Sequence, residues 1–372
     1  MIRLLEHEGK ALLGRRGFAI PEGALFPGLP PTGPWVVKAQ VPVGGRGKAG
    51  GIRFAATTDE VRAAADAVAR LVIGGHDVRA VYVERRVPPG REVYLAAHVD
   101  RDLGCPVMLA CPAGGVDIEA VPHERIARVA VDPLAGLGDE DAAMLARALS
   151  PDGPPPPALR RAVADLYRTL VEEDAELVEI NPLIVGADGT VTAADARLIL
   201  DEDAAFRHPG RRAIPEGTAF EEEARRRGVI GIELDGDIAA MMNGAGMTMA
   251  TLDQLVAMGG SVRGLVELHG AMARGPDHLA GVVALMASLR PRVLLFNIYF
   301  QFRNLDTVAE GIARAIHAAG PGGLPPVVVR IRGVREAEAR RILEPLDCWV
   351  TDDFARACAR AIELSGRPVL RR

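Results

Sequence analysis

The sequence predicts two domains of different class. An α+β domain built on antiparallel sheets comes first, and an α/β domain with a doubly wound parallel sheet follows. Three observations carry this reading. The chain has 372 residues, more than one hydrophobic core usually organises. Its amino-terminal half mixes strand and helix patterns without strict βαβ alternation. Beyond the polar stretch "DEDAAFRHPGRRAIPEGTAFEEEARRRG", apolar strands alternate with helical segments, as in sheets covered on both faces. The boundary is placed in that stretch, giving domains 1–212 and 213–372.

The elements follow in order. Leu4, Leu5, Leu12 and Leu13 recur on related faces of a helix that stops at Gly17, and a short extended segment ends at Pro21. "PWVVKAQV" has the β-branched run of a strand. "TTDEVRAAADAVARLV" is an amphipathic helix with Thr58 or Asp59 as its N-cap. "AVYVERRV" and "REVYLAAHVD" are strands separated by the turn "PPG", and "CPVMLAC" is another. After the helical "PPALRRAVADLYRTLVEED", the segments "AELVEINPLIV" and "VTAADARLIL" form two strands joined at Asp188-Gly189, a tight-turn pair. In the second domain "VIGIELDGDIAAMMNGAGM", "PRVLLFNIYF" and "PPVVVRIRG" each precede a helical pattern. Such sheets bind ligands at the carboxyl ends of their strands, which selects "NGAGM" and "NIYFQFRNLD".

Composition narrows the function. Hydrophobic residues at 49% and charged residues at 25% are the balance of a soluble globular protein. A formal net charge of −5 argues against general nucleic-acid binding. Charges are scattered through "MIRLLEHEGKALLGRRGF", unlike a signal peptide, and no apolar run is long enough to cross a bilayer. Cys105, Cys111, Cys348 and Cys358 show neither CxxC spacing nor disulfide density, so they are expected as thiols in a reducing compartment. The expectation is a cytoplasmic protein with neither nucleic acid nor membrane as partner.

Chemistry concentrates in "VVKAQVPVGGRGKAGG". A glycine-dense backbone can turn successive N–H groups toward an anion, and Arg46 or Lys48 adds charge. The spacing is neither a GxxxxGK[ST] loop nor a GxGxxG, so phosphate binding competes here with a simple mobile turn. Lys38, on the preceding strand, could reach a phosphate or merely be solvated. Glu179 and Asn181 alternate with Val178 and Ile180 and share one strand face. Asp195, expected on the next strand, could meet them across the hairpin. Few hard oxygen ligands with room for phosphate oxygens suit Mg²⁺, although each residue alone could be a surface group.

Longer stretches add a family likeness. "LLEHEGKALLGRRGFAIPEG", "GPWVVKAQVPVGGRGKAGGI", "YVERRVPPGREVYLAAHVDR", "GGVDIEAV", "VAVDPLAG", "VEINPLIV", "DEDAAFRHP", "LDGDIAAMMNGAGM" and "PVVVRIRG" run in order over nearly the whole chain. With them the sequence resembles the β subunit of succinyl-CoA synthetase (succinate–CoA ligase) and relatives such as the malate–CoA ligase β subunit. The resemblance implies an ATP-grasp domain followed by a flavodoxin-like domain, with ATP or GTP as substrate and Mg²⁺ as cofactor. It implies that Lys38, Gly45, Arg46 and Gly47 hold nucleotide phosphates and that Glu84 and Glu92 contact the nucleotide. Asn181 and Asp195 would bind the metal. Glu179 would face a phosphorylated histidine carried by a CoA-binding α partner. Asn243 would sit at the acid-substrate end, where a helix starting near Gly246 aims its N–H groups at the phosphate. The implied reaction phosphorylates the partner's histidine, passes the phosphate to a carboxylic acid, and lets CoA thiol displace it from the acyl phosphate. Positioning and charge neutralisation dominate such transfers. None of the eight histidines here stands in a phosphorylation motif; His269 reads as a polar strand-end residue.

Two stretches depart from the family. "VELHGAMA" stands where the family has "DVGGGA", and "NIYFQF" stands for "NIFGGI". Phe300 and Gln301 thus replace a glycine pair and could copy its backbone only with strain. One reading is a pocket reshaped for another acid, with Tyr299, Phe300 and Phe302 as an aromatic wall and Gln301 or Arg303 on the substrate. A second passes the acyl group to an acceptor other than CoA. A third is a degenerate regulatory or scaffold subunit, and "YFQF" could also be plain strand-end packing. The nucleotide and metal positions are all kept while the changes cluster at the acid end, which favours the first.

Overall fold

Trp35–Gln40 folds as the strand its β-branched residues predict, in a computed structural model that describes residues 1–210 and 217–370. Every residue of this strand is buried. Alternation explains why: Trp35, Val37 and Ala39 face an apolar core with Val81 and Val83, covered by Val61, Ala65 and Val68 of the helix Thr58–Val68. Lys38 and Gln40 face the other way and meet residues of the helix Glu6–Arg15. One sheet therefore has an oily face and an ionic face.

The chain divides into two units, Met1–Ile214 and Pro215–Arg372. The boundary expected between 212 and 213 lies outside the described residues. In the first unit Trp35–Gln40 pairs antiparallel with Ile52–Ala55 and Ala80–Arg85, and Gly23–Leu25 completes a four-stranded sheet. A larger antiparallel sheet runs Ile2–Arg3, Arg197–Leu200, Ala175–Val185, Arg91–Asp100, Cys105–Cys111, Ala127–Ala130. Val191–Ala193 pairs with the far end of Ala175–Val185. "PPG" thus links two sheets and does not close a hairpin. The helices Glu6–Arg15, Asp139–Ala148 and Pro157–Glu172 bury Leu12, Leu13, Leu145, Leu159 and Leu166 on the large sheet.

Two local expectations change. "VTAADARLIL" is not one strand: Ala194, Asp195 and Ala196 lie in a break between Val191–Ala193 and Arg197–Leu200. The break faces an irregularity at Asn181-Pro182, where the register of Ala175–Val185 shifts; proline cannot donate to a ladder. The N-cap of Thr58–Val68 is Thr57, not Thr58 or Asp59. Its extended backbone lets the hydroxyl accept from Glu60 N at 3.2 Å while the Glu60 carboxylate accepts from Thr57 N. Thr57→Ala is expected to lower stability by about 1 kcal/mol, read from the urea midpoint.

The second unit is a six-stranded sheet ordered Ile230–Glu233, Val262–Glu267, Ile238–Met242, Val293–Phe300, Val327–Gly333, Cys348–Thr351. The first strand is antiparallel and the rest are parallel. Numbered along the chain, the parallel strands run 2-1-3-4-5, the flavodoxin-like order. Met241, Phe296 and Val329 pack under the helices Pro276–Ser288, Leu305–Ala319 and Glu336–Leu343. Ala240, Leu295 and Val328 pack under Ala245–Ala257 and Phe354–Leu364 on the opposite face. Strand order reverses between Ile238–Met242 and Val293–Phe300, so the ends Asn243 and Tyr299 border the crevice where such sheets take ligands. Among the described residues, no helix is long and apolar enough to cross a membrane.

Candidate active site

Strand register decides what surrounds Lys38. It lies opposite Tyr82, and Val36 lies opposite Glu84, so Lys38 and Glu84 are diagonal neighbours on the ionic face. The Lys38 ammonium reaches Glu84 Oε1 and Glu6 Oε1 at 2.8 Å each and donates to the Ala194 carbonyl at 2.7 Å. Arg46 enters from the glycine loop, held by Gly51 N donating to the Arg46 carbonyl at 2.8 Å. Its guanidinium pairs with Glu6 and, at 2.6 Å, with Asp195 Oδ1. Gly45 turns the loop with φ +78, a value open to glycine; Gly47 lies two residues on. Burial alone would push the Lys38 ammonium down, but Glu6 and Glu84 outweigh it and hold the group well above its ordinary value. Burial likewise opposes the Arg46 charge, and Glu6 and Asp195 overcome it. Both cations stay charged at any physiological pH. Lys48, by contrast, is exposed and pairs with Asp117.

A second group lies along the large sheet. The Glu92 carbonyl accepts from Gly114 N at 2.9 Å, which sets a Gly114-Gly115 turn beside the exposed Glu92 side chain. Gly115 N then donates to Asn181 Oδ1 at 2.7 Å, and Asn181 Nδ2 donates to the Val116 carbonyl at 3.0 Å. Glu179 keeps the strand face expected for it, with Arg197 3.5 Å away. Burial raises its carboxyl and Arg197 only partly compensates, while Asp195 and Glu119 repel it further. Glu179 and Asp195 therefore feel one another, whereas the Asn181 amide is tied to the Gly115–Val116 backbone, its oxygen accepting one bond of the two it can take.

In the second unit Asn243 pairs with one residue twice. Its Nδ2 donates to the Tyr299 carbonyl at 2.7 Å and its Oδ1 accepts from Tyr299 N at 2.8 Å. Gly244, at φ +84, then turns the chain into the helix Ala245–Ala257, which begins slightly before Gly246. Asn243→Ala leaves both Tyr299 groups without that partner and is expected to cost about 1–3 kcal/mol, measured by denaturant titration. The aromatic wall does not form as expected. Tyr299 and Phe300 alternate to opposite faces; Phe300 packs on the core under Pro276–Ser288 and Leu305–Ala319. Phe302 is 84% exposed beside a depression it shares with Arg303, Asn304 and Thr307. Gln301 Nε2 donates to the Tyr299 hydroxyl at 2.7 Å. Neither Phe300 nor Gln301 has a left-handed backbone; of the two departing stretches only "VELHGAMA" holds a left-handed non-glycine residue, His269 at φ +45.

Several participants escaped sequence reasoning. Glu6 and Lys10 complete the ionic face, and their signal was present: with Leu13 they occupy the i, i+4, i+7 stripe of a helix, where apolar residues belong. Glu267 accepts from Gly244 N at 2.7 Å and His269 N at 2.8 Å, placing a carboxylate at the start of Ala245–Ala257. Arg330 packs over the Tyr299 ring and donates to Asn297 Oδ1 at 3.3 Å. No spacing rule points to either.

Comparison with known proteins supplies the frame. The ATP-grasp domain family matches residues 31–185. The succinate–CoA ligase [ADP-forming] β subunit of Pyrobaculum calidifontis is 37% identical over 382 aligned residues, covering 98% of this chain and 100% of its own. The subunits of the same name from Roseiflexus sp. and Chloroflexus aurantiacus are 34% and 37% identical, covering 97% and 92% of this chain and 99% and 93% of their own. Among solved structures, ATP citrate lyase from Methanothrix soehngenii, in complex with citrate and coenzyme A, superposes with a TM-score of 0.74. It is 18% identical and covers 97% of this chain and 99% of its own, a likeness of fold. With relatives at this identity aligned from end to end, the chain belongs to the succinate–CoA ligase β-subunit family of acid–thiol ligases, with an ATP-grasp domain and a second α/β domain.

Proposed function

We propose that this chain is the nucleotide-binding subunit of a two-subunit acid–CoA ligase. In this reading it uses ATP to phosphorylate a histidine of an α partner and passes the phosphoryl group to a carboxylic acid, ahead of thioester formation with CoA. One observation carries the reading: strand Lys38 and loop Arg46, both charged and buried, converge with Asp195 on one face of the small sheet. A triphosphate meeting that face would exchange protein carboxylates for phosphate oxygens on the same cations. Glu84 would hold Lys38 in place, and Glu92, beside the Gly114-Gly115 turn, would border the nucleotide. Glu179, its carboxyl raised by burial, would accept a hydrogen bond from the partner's histidine and orient the ring.

The donor set suits Mg²⁺ better than a softer ion. Asn181 and Asp195 offer an amide oxygen and a carboxylate, and among the described residues no three His, Cys, Asp or Glu side chains group as a metal cage. A magnesium ion held by these two residues and by phosphate oxygens would neutralise the charge of the transferring group. Asp195 can serve because its Oδ1 alone takes Arg46 and Ala196 N.

The acid would bind at Asn243, Tyr299, Gln301 and Phe302, with specificity different from succinate. Support comes from the side chains themselves: Tyr299 and Gln301 occupy the strand end that small residues would leave open. Phe300 contributes packing, consistent with the strand-end reading for that one position.

The test is co-expression with an α-type partner, followed by γ-labelled ATP and Mg²⁺. The expected result is label on a partner histidine, discharged only when CoA and one acid from a panel are both added. Discharge without CoA would replace the ligase reading with a different acceptor. Absence of label, together with Lys38→Ala and Asp195→Ala indistinguishable from wild type, would leave a scaffold.

A further inference from the structure

Lys10 is among the largest side chains that the fold buries completely, and among the described residues no other lysine is buried so fully. It lies on Glu6–Arg15 and takes no place in the reaction described so far. Its ammonium has three oxygen partners: Glu6 Oε1 at 2.9 Å, the Ala194 carbonyl at 2.7 Å, and Glu84 Oε2. The Lys38 ammonium has the same three groups as partners. Two lysines from different elements thus share one set of acceptors. Adding Arg46 and Asp195, three cations face three carboxylates, and the cluster is formally neutral.

We propose that Lys10 is a positioning residue that makes Lys38 transferable to the nucleotide. The inference rests on the reading that Lys38 binds phosphate. A buried carboxylate left without a cation is strongly unfavourable. Were Lys38 the sole partner of Glu6, Glu84 and the Ala194 carbonyl, its departure toward a phosphate would strand all three. Lys10 already touches each, so Lys38 can turn away while the acceptors stay satisfied. Arg46 shares Glu6 with the lysines, so the same ammonium also steadies the carboxylate that Arg46 would release. Ala194 adds a geometric role: its carbonyl is free because the chain breaks between Val191–Ala193 and Arg197–Leu200. Lys10 therefore also anchors the segment bearing Asp195.

Charge, not bulk, is the working quantity, which fixes the test. In the assembled enzyme, K10M keeps the side-chain length but leaves the cluster one negative charge in excess. Lys38 is then held harder by Glu6 and Glu84. The KM for MgATP is expected to rise about tenfold or more, with KM for the acid unchanged. E6Q keeps the volume and one acceptor and leaves one positive charge in excess, so KM for MgATP is expected to stay level or fall. K10M/E6Q, neutral again, is expected to return KM to within about threefold of wild type. A purely structural lysine would give K10M and E6Q the same sign and no mutual rescue.

A folded K10M with unchanged KM for MgATP overturns the proposal, as does a double variant no better than K10M. If K10M fails to fold, E6Q decides alone: a tenfold rise in KM overturns the proposal and a level or lower KM supports it. ¹⁵N-lysine spectra of the wild-type complex give an independent check. MgATP should move the Lys38 Nζ resonance more than that of Lys10, and the reverse order counts against the idea. Wild-type enzyme that takes up no MgATP would instead sink the parent reading.

Discussion

Lys38→Met is expected to lower kcat/KM for the nucleotide by about a thousandfold in the assembled enzyme, the scale on which preorganised charge acts on a transferring phosphoryl group. The effect is large because Arg46 is engaged by Glu6 and Asp195, and neither neighbouring lysine can take the place. Lys48 is exposed and turned to Asp117, and Lys10 lies wholly inside the fold. The variant should nevertheless fold, because Lys10 continues to satisfy Glu6, Glu84 and the Ala194 carbonyl. Steady-state kinetics set beside a thermal melt test both halves of the expectation. A collapse in activity with a modest fall in Tm is the predicted pairing.

Glu6→Ala is expected to cost about 3–5 kcal/mol of folding stability, the range for removing one member of a buried ionic group. Glu6 is 3% exposed and meets Lys10, Lys38 and Arg46 together. Without it, three cations share Glu84 and Asp195 in a site with little water. The same residue sets an acid limit. Burial would raise the Glu6 carboxyl, but Lys10, Lys38 and Arg46 prevail and hold it well below 4.5. The unfolded chain therefore binds a proton to Glu6 at higher pH than the native protein does. Its contribution is complete above about pH 4.5 and is lost as pH falls through the depressed native value. Urea titrations at pH 7 and pH 3 should show wild type losing more stability on acidification than Glu6→Ala does.

Fold class was readable because it depends on repeated signals. "VLLFNIYF" and "VVVRIRG" are too apolar for a strand wetted on one side, and amphipathic helices between such runs leave the parallel, doubly covered sheet as the natural outcome. The loop that brings Arg46 back toward the strand of Lys38 was readable because glycines mark where a backbone must bend. Long-range partnership was not. Lys10 meets Ala194 across 184 positions, and nothing local to either residue announces it. Asp195 was misplaced onto a strand because "VTAADARLIL" alternates well enough to hide a break opposite Pro182. The expected aromatic wall failed on a simpler point: residues 299 and 300 are consecutive in a strand and must part.

Asn243 behaves as a dowel between two planks, reproducing with a side chain the double grip that one extended residue gives its neighbour. Aspartate could not supply the donor, and glutamine would stand a methylene too far away. The letter at this position is consequently prescribed by carpentry before any acid arrives. Substitution is steered away from it toward 301–303, where exposed side chains can be exchanged without unpegging the sheet.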